Sequence, residues 1–244
     1  QITRLESPID VMYLMHKEYM EHSNFTENLA LEAQDGGDLA AFKANLDAWL
    51  KHLLYHAQTE DKYMTGPLKD KILQDGREPL KANEVEHDEL RQFGGSVLEL
   101  LDQASAENVL ASEEEEHAKL MEKVDQVEEA AGDAIAERFV KPRTRRHLYR
   151  SVMELRVSEF DHFENEEAFV LPIVKEQMSS SEELECSRRL LIDDDSDQPR
   201  WIIDFIIDQL EGVEKQLVMD LDKQFQSKTK KLSFFQSLLA RFFD

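Results

Sequence analysis

The chain has 244 residues and a formal net charge of −23, and helix-forming residues dominate over 8 glycines and 6 prolines. This negative charge would repel phosphate backbones and anionic headgroups, which argues against nucleic acid and favours cations as partners. With a single cysteine, Cys186, the chain can form neither an intrachain disulfide nor a thiolate metal cage. We therefore expect an all-α protein of the reducing cytoplasm. No apolar run reaches the roughly 18 residues of a membrane span, so we also expect no transmembrane segment.

The first predicted helix begins at Ser7, which is followed by Pro8 and by Asp10 in the pattern of a capping box. Its apolar stripe has helical spacing. The members of that stripe are Ile9, Tyr13, His16 and Met20. His16 should therefore point toward the core, where a histidine more often makes a hydrogen bond than binds a metal.

The second predicted helix runs from the Asp35–Asp38 break to about Thr65, and its core stripe includes polar residues. The stripe consists of Phe42, Leu46, Trp49, Leu53, His56 and Glu60. A charged carboxylate on a core stripe costs several kcal/mol unless it is paired or bound to a metal. His52, at the edge of this face, is open to three interpretations: a residue behind the ligands, an extra ligand, or a solvated or core-edge residue. We expect Gly66 and Pro67 to end the helix and residues 68–78 to form a connection.

A third helix is predicted from Pro79, with His87 as its first inward position. An acidic helical segment follows from Ser105 to about Val140. We interpret its run of glutamates, Glu113 to Glu116, as a solvated face and His117 as a bystander. The basic residues 141–146 then serve to neutralise the neighbouring acidic helix.

The fourth long helix repeats the residue pattern of the second. Its predicted core stripe is Leu148, Val152, Leu155, Glu159, His162, Glu166, Phe169 and Ile173. Each of the two helices has a His, a Glu four residues later, a second acid beside that Glu (Asp61 or Glu167) and a proline shortly after. The i, i+4 spacing puts imidazole and carboxylate on one helix face. Two such faces turned toward each other would hold a pair of metal ions bridged by carboxylates.

The four helices together resemble the hemerythrin-like family of HHE cation-binding domains. The resemblance covers about residues 7–177. It rests on four segments, which are Ser7–His16, His56-x-x-x-Glu60-Asp61, Glu86-His87-Asp-Glu-Leu90 and His162-x-x-x-Glu166-Glu167. It implies a four-helix up-down bundle around two iron ions with an oxo or hydroxo bridge, with manganese or zinc less expected. The implied metal ligands are His16, His56, Glu60, His87, His162 and Glu166.

Two departures from the oxygen-carrying members concern the ligand set. Arg91 stands where those proteins have a second histidine on the third helix, and the last helix has His-x-x-x-Glu in place of His-x-x-x-x-Asp. One coordination position is therefore open or filled differently. The candidates for it are Glu167, Glu159, His52, His117 and water. The stretch between His87 and His162 is also longer than in most relatives, which suggests an inserted acidic helix.

The resemblance implies that the protein binds dioxygen, nitric oxide or peroxide at an open iron position, in a pocket lined by residues such as Tyr13, Tyr55 and Phe163. If the protein is an enzyme, it is a di-iron oxidoreductase acting on peroxide or dioxygen. Iron buffering or sensing is an alternative, and so is a ferritin-like oxidase. The ferritin pattern Glu-x-x-His occurs at Glu84/His87, Glu114/His117 and Glu159/His162.

The predicted domains are a metal-binding bundle at residues 1–177 and a helical C-terminal extension at residues 178–244. A helix is expected at roughly residues 200–226, and residues 232–243 are amphipathic. We expect the extension to pack on the bundle or on a partner, which makes a homo-oligomer through these helices possible.

Overall fold

The computed structural model describes residues 2–35, 37, 39–75, 106–136 and 142–240, and the regular structure within these ranges is helical throughout. The all-α prediction is confirmed. The helices are α1 Val11–Gln34, α2 Leu39–Glu60, α3 Gly66–Asp75, α4 Ala106–Ala136, α5 Pro142–Asn165, α6 Leu171–Gln177, α7 Ser180–Leu191, α8 Trp201–Gln209 and α9 Gly212–Ala240. Among the described helices, none is long and apolar enough to cross a membrane. The helix predicted from Pro79, with His87, lies outside the described residues.

The chain divides into two compact units. Residues 19–177 form one, here called the bundle unit, and residues 1–18 together with 178–244 form the other, here called the terminal unit. The C-terminal segment thus shares a unit with the N-terminal residues. That the segment also packs on the bundle or on a partner stays a prediction.

The terminal unit is built on two capping boxes. Asp10 Oδ2 accepts hydrogen bonds from the backbone of Glu6 and Ser7, at 2.7 and 2.9 Å, and fixes a 3-10 turn at Pro8–Asp10. That turn packs against α7, whose own cap pairs Ser179 with Glu182. The helix predicted at roughly 200–226 is two helices, because Leu210 leaves the helical conformation and Gly212 adopts φ +54°, which favours glycine.

In the bundle unit, α4 packs along α5 and also contacts α2 and α3. The acidic helix is therefore part of the bundle packing. Its buried positions have a +4, +3, +4, +3 spacing, which places them on one face. Among them are Glu113, His117, Leu120, Val124 and Val127. The prediction of a solvated face is confirmed at Glu114 and Glu115 and is wrong at Glu113, and His117, which was interpreted as a bystander, is buried as well.

Each of the helices with a His-x-x-x-Glu motif contains a π-helical turn next to its glutamate. The first covers Asp61–Thr65 and the second Glu166–Val170. Each turn ends two residues before a proline, Pro67 or Pro172. Proline has no N–H for the carbonyl four residues back and its ring clashes with that carbonyl, and a wider turn relieves both problems. The helix consequently continues past Pro67 into α3, and the predicted helix end at Pro67 is wrong.

The π turns also change which side chains face the core. The predicted stripe of α2 is buried throughout, and so is that of α5 from Leu148 to Glu166. Beyond Glu166 the prediction is wrong, because Phe169 is 57% exposed and Val170, Leu171 and Val174 are buried instead. The extra residue in the π turn rotates the following helix face by about 100°.

Gly66→Ala should destabilise the protein, although alanine normally stabilises a helix by about 1 kcal/mol relative to glycine. A Cβ at position 66 would lie 2.8 Å from the carbonyl oxygen of Asp61 in the first π turn, so the backbone would have to shift. We expect a loss of about 1–3 kcal/mol in the free energy of unfolding, measured with urea. An increase in stability would show that the turn relaxes without cost.

Candidate metal centre

Six polar side chains from three helices converge in the interior of the bundle unit. Helix α2 supplies His56 and Glu60, α4 supplies Glu113 and His117, and α5 with its π turn supplies His162 and Glu166. Each of these residues is at most 2% exposed to solvent. Each pair has i, i+4 spacing, so its two side chains lie on the same face of the helix.

The donor atoms of these side chains approach one another closely. Glu60 lies between two imidazoles, with Oε1 at 2.9 Å from His56 Nε2 and Oε2 at 3.3 Å from His117 Nε2. Glu113 Oε1 is 3.3 Å both from His117 Nε2 and from His162 Nδ1.

Glu166 completes the arrangement between the two duplicated motifs. Its Oε2 lies 3.9 Å from His56 Nε2 and 4.0 Å from His162 Nε2. Donor atoms of His56, Glu60 and Glu166 lie within 4.8 Å of one another, and the same holds for those of Glu60, Glu113, His117 and His162. Glu60 belongs to both groups.

The second of these groups fits a metal ion. Among the described residues, both carboxylate oxygens of Glu60, Oε1 of Glu113, Nε2 of His117 and both nitrogens of His162 are buried without a hydrogen-bond partner. Buried polar atoms are normally satisfied, and a cation at the point of convergence would satisfy these. Imidazole and carboxylate without thiolate suit iron or manganese better than structural zinc.

A second layer of carboxylates lies behind the imidazoles. Asp61 Oδ1 accepts a hydrogen bond of 2.7 Å from His117 Nδ1, which leaves Nε2 to face the cluster. Glu116 Oε2 lies 3.5 Å from His162 Nδ1, and Glu116 Oε1 accepts a hydrogen bond of 3.1 Å from Asn165. Such carboxylates fix the orientation of a histidine ligand and raise its basicity. The acid next to Glu60 in the duplicated motif thus orients His117, which lies on another helix.

The charges in the cluster are strongly coupled. Burial by itself lowers the pKa of His117, but the hydrogen bond with Asp61 and the nearby carboxylates of Glu113 and Glu60 raise that pKa to about 12. Burial raises the pKa of Glu60, and the imidazoles of His56 and His117 outweigh burial and hold it well below its usual range. Without metal, a proton on His117 compensates the carboxylates. A metal ion must displace that proton, since only neutral imidazole coordinates.

For two of the predicted ligands, His16 and His87, the role in metal binding stays a prediction. His16 is fully buried on α1, three residues before Tyr19 on the same helix, and its role as a ligand stays a prediction. His87 lies outside the described residues, and its role also stays a prediction.

His117 was one of the open candidates, and the structure brings it into the cluster together with Glu113, which the sequence interpretation missed. The sequence did contain a signal for these two residues, because Glu113 and His117 have the same helical spacing as the apolar residues of α4 and so fall on the same helix face.

The remaining open candidates for the extra ligand lie outside both groups. Glu159 is buried, and its Oε1 accepts a hydrogen bond of 2.7 Å from Trp49 Nε1. His52 is 5% exposed, with Nδ1 at 2.8 Å from the carbonyl oxygen of Ala48, which agrees with the core-edge interpretation of His52 and not with the solvated one. Glu167 is half-buried.

Aromatic side chains cover the cluster on one side. The ring of Phe163 lies 5.4 Å from that of His56 and 5.5 Å from that of His162. Tyr19, which the sequence interpretation did not single out, lies 5.5 Å from His56 and 6.2 Å from Phe163. Phe163 was predicted to line the site and does lie beside it. The other two predicted lining residues, Tyr13 and Tyr55, are half-buried.

These observations define a helical protein whose bundle unit contains a buried histidine and glutamate centre compatible with metal binding. The family model described as the hemerythrin HHE cation-binding domain matches residues 7–114, so this part of the chain is similar to that family. The matched range contains His16, His56, Glu60 and Glu113 and ends before His117. No curated protein and no solved structure matches the chain.

His52 should make the stability of the fold depend on pH. Burial, as the largest cause, lowers the pKa of His52 to about 4, against about 6.5 in an unfolded chain. The stabilisation is therefore complete above about pH 6.5 and is lost as the pH falls toward 4, because the unfolded state binds the proton first. Between about pH 7.5 and pH 5 this group should remove about 2 kcal/mol from the free energy of unfolding.

The measurement is urea unfolding with chelator present at both pH values, comparing the wild type with His52→Gln. The variant lacks the titrating group, so it should lose about 2 kcal/mol less than the wild type over this range. His147→Gln, at an exposed position on α5, is the control and should follow the wild type. Equal losses in the wild type and His52→Gln would contradict the assignment.

Proposed function

We propose that the protein is a non-haem di-iron protein of the hemerythrin type, which binds two iron ions in its bundle and binds or reacts with dioxygen, nitric oxide or peroxide. One ion would be held by a first set of ligands that includes His56, Glu60 and Glu166, and His16 stays a ligand predicted from the sequence. The other would be held by a second set, Glu60, Glu113, His117 and His162.

The observation that carries this proposal is the position of Glu60. Its two oxygens face two different imidazoles, at 2.9 Å from His56 Nε2 and 3.3 Å from His117 Nε2. A carboxylate so placed can give one oxygen to each of two ions, as bridging glutamates do in di-iron bundles. Glu166 lies between His56 and His162 and supports the same role for a second bridge.

A bound pair of irons would supply the redox chemistry and the open coordination position for a small ligand. The chain's own residues would hold the centre in place and exclude water. Asp61 would keep His117 in the tautomer that presents Nε2 to the centre. Phe163 and Tyr19 would limit the space beside His56 to small ligands.

The ferritin-like alternative receives little support from the described residues. Glu114, the partner of His117 in that pattern, is exposed and forms an ion pair with Lys69. Glu159, the partner of His162, accepts the hydrogen bond from Trp49. The residues that approach these two histidines are instead Glu113 and Glu60.

Metal analysis of the purified protein should give about two iron ions per chain. His117→Ala should lose about half of this metal, because it removes a ligand of one ion and leaves the first set intact. His147→Ala, on the surface of α5, is the control and should keep the full amount. His87→Ala tests the ligand predicted from the sequence. If His87→Ala loses metal and His117→Ala keeps the full amount, the proposal that His117 on α4 binds one of the ions is contradicted.

Mixing the reduced iron protein with oxygen should discriminate among the remaining functions. We expect a change in visible absorption that reverses when oxygen is removed, because the aromatic surroundings limit access of water to the centre. Irreversible oxidation with turnover of peroxide would indicate an oxidoreductase. Absence of any reaction in a protein with two bound irons would contradict oxygen chemistry and leave iron buffering.

A further inference from the structure

We propose that metal ions enter the centre through a groove between α4 and α5, and that Glu116 passes each ion from solvent to Glu113 and His162. The inference rests on the proposed metal-binding function and adds a route to it. The route affects the rate at which metal ions fill the centre. It does not change which residues bind the ions once the centre is filled.

The groove has a volume of about 430 Å³ and opens to solvent. Its lining includes charged residues of both helices together with one member of the cluster. The charged residues are Glu116, Lys119, Glu122, Lys123 and Asp161, the member of the cluster is His162, and Ser158 also lines the groove. His162 links the groove to the centre, because its side chain is only 1% exposed and its Nδ1 lies 3.3 Å from Glu113. Among the described residues, neither nitrogen of His162 makes a hydrogen bond.

The carboxylates between solvent and the centre become progressively more buried. Asp161 and Glu122 are exposed at the rim, and the side chain of Glu116 is 25% exposed. Glu113 is 2% exposed, and Glu60 is fully buried. A cation moving along this series would exchange its water for carboxylate oxygen in steps, which avoids the large cost of burying a bare ion.

The distances allow one ligand to be acquired before the previous one is released. Glu116 Oε2 lies 3.5 Å from His162 Nδ1, and Glu113 Oε1 lies 3.3 Å from the same nitrogen. Glu113, Glu116 and His117 lie on one face of α4 because their spacing is i, i+3 and i+4. Asn165 holds Glu116 through a hydrogen bond of 3.1 Å to its other oxygen.

Two positive charges on the groove, Lys119 and Lys123, oppose cation entry, and the first of them is partly neutralised. Lys119 pairs with Glu115 at 2.7 Å, on the exposed side of α4. The net field of the chain, with its charge of −23, also attracts cations toward such a cleft.

A second groove between the same two helices serves as an internal comparison. Its volume is about 440 Å³, and its lining lacks any residue of the metal cluster. It is lined by Gln126, Glu129, Ala130, His147, Arg150, Ser151 and Glu154. Matched substitutions can therefore be made in the two grooves, Glu116→Gln against Glu129→Gln and Ser158→Arg against Ser151→Arg. Both serines are half-buried on α5.

The test is stopped-flow loading of the metal-free protein with Co²⁺, followed by the visible absorption of the coordinated ion. Glu116→Gln and Ser158→Arg should each load about tenfold more slowly than the wild type, the size expected for a change in electrostatic steering. In Ser158→Arg, which alters no residue of the cluster or of the carboxylate layer behind it, release to a chelator should slow by the same factor, because the affinity is unchanged. Glu129→Gln and Ser151→Arg should load at the wild-type rate.

Wild-type loading rates in both Glu116→Gln and Ser158→Arg would overturn the route. A loss of metal stoichiometry in Glu116→Gln would also overturn it, because Glu116 would then be a ligand of the filled centre. A wild-type protein that takes up no Co²⁺ and no iron would instead refute the proposed metal-binding function itself.

Discussion

The structure depends on the compensation of negative charge inside a helical bundle. Glu60 is fully buried, and a buried carboxylate is tolerated only when positive charge or donors surround it. The imidazoles of His56 and His117 lie at 2.9 and 3.3 Å from its oxygens, and they hold its pKa well below the usual range. Removing either imidazole would leave an uncompensated charge in the core. The same arrangement that keeps the bundle folded without metal prepares the ligands for a cation.

The position of the carboxylates depends in turn on the two π turns. A proline without an N–H follows each turn, so the helix widens next to the glutamate and continues past the proline. The first π turn begins with Asp61, whose side chain reaches His117 on α4. Local backbone geometry in α2 thus orients a side chain on a different helix. The second π turn begins at Glu166 itself and shifts the core face of α6.

The acidic helix α4 combines two roles on opposite faces. Its outward face carries exposed glutamates such as Glu114 and Glu115, which contribute to the high net charge. Its inward face carries Glu113 and His117 among apolar residues. Glu116 lies at the edge of the inward face and is partly exposed, and this position on the helix supports its place on the proposed entry route. One helix thereby attracts cations and supplies two residues of the buried group proposed to bind them.

The sequence by itself determined the helical class and the burial of His56, Glu60, His162 and Glu166, because these residues continue apolar stripes with a 3.6-residue period. The tertiary structure decided which further helix face joins them. Glu113 and His117 follow the same period, but the surrounding glutamates concealed it, and only packing of α4 against α5 distinguishes the buried face from the solvated one. The tertiary structure also decided which residues after Glu166 are buried. A π turn changes the phase of the helix, whereas a prediction from periodicity assumes that this phase stays constant.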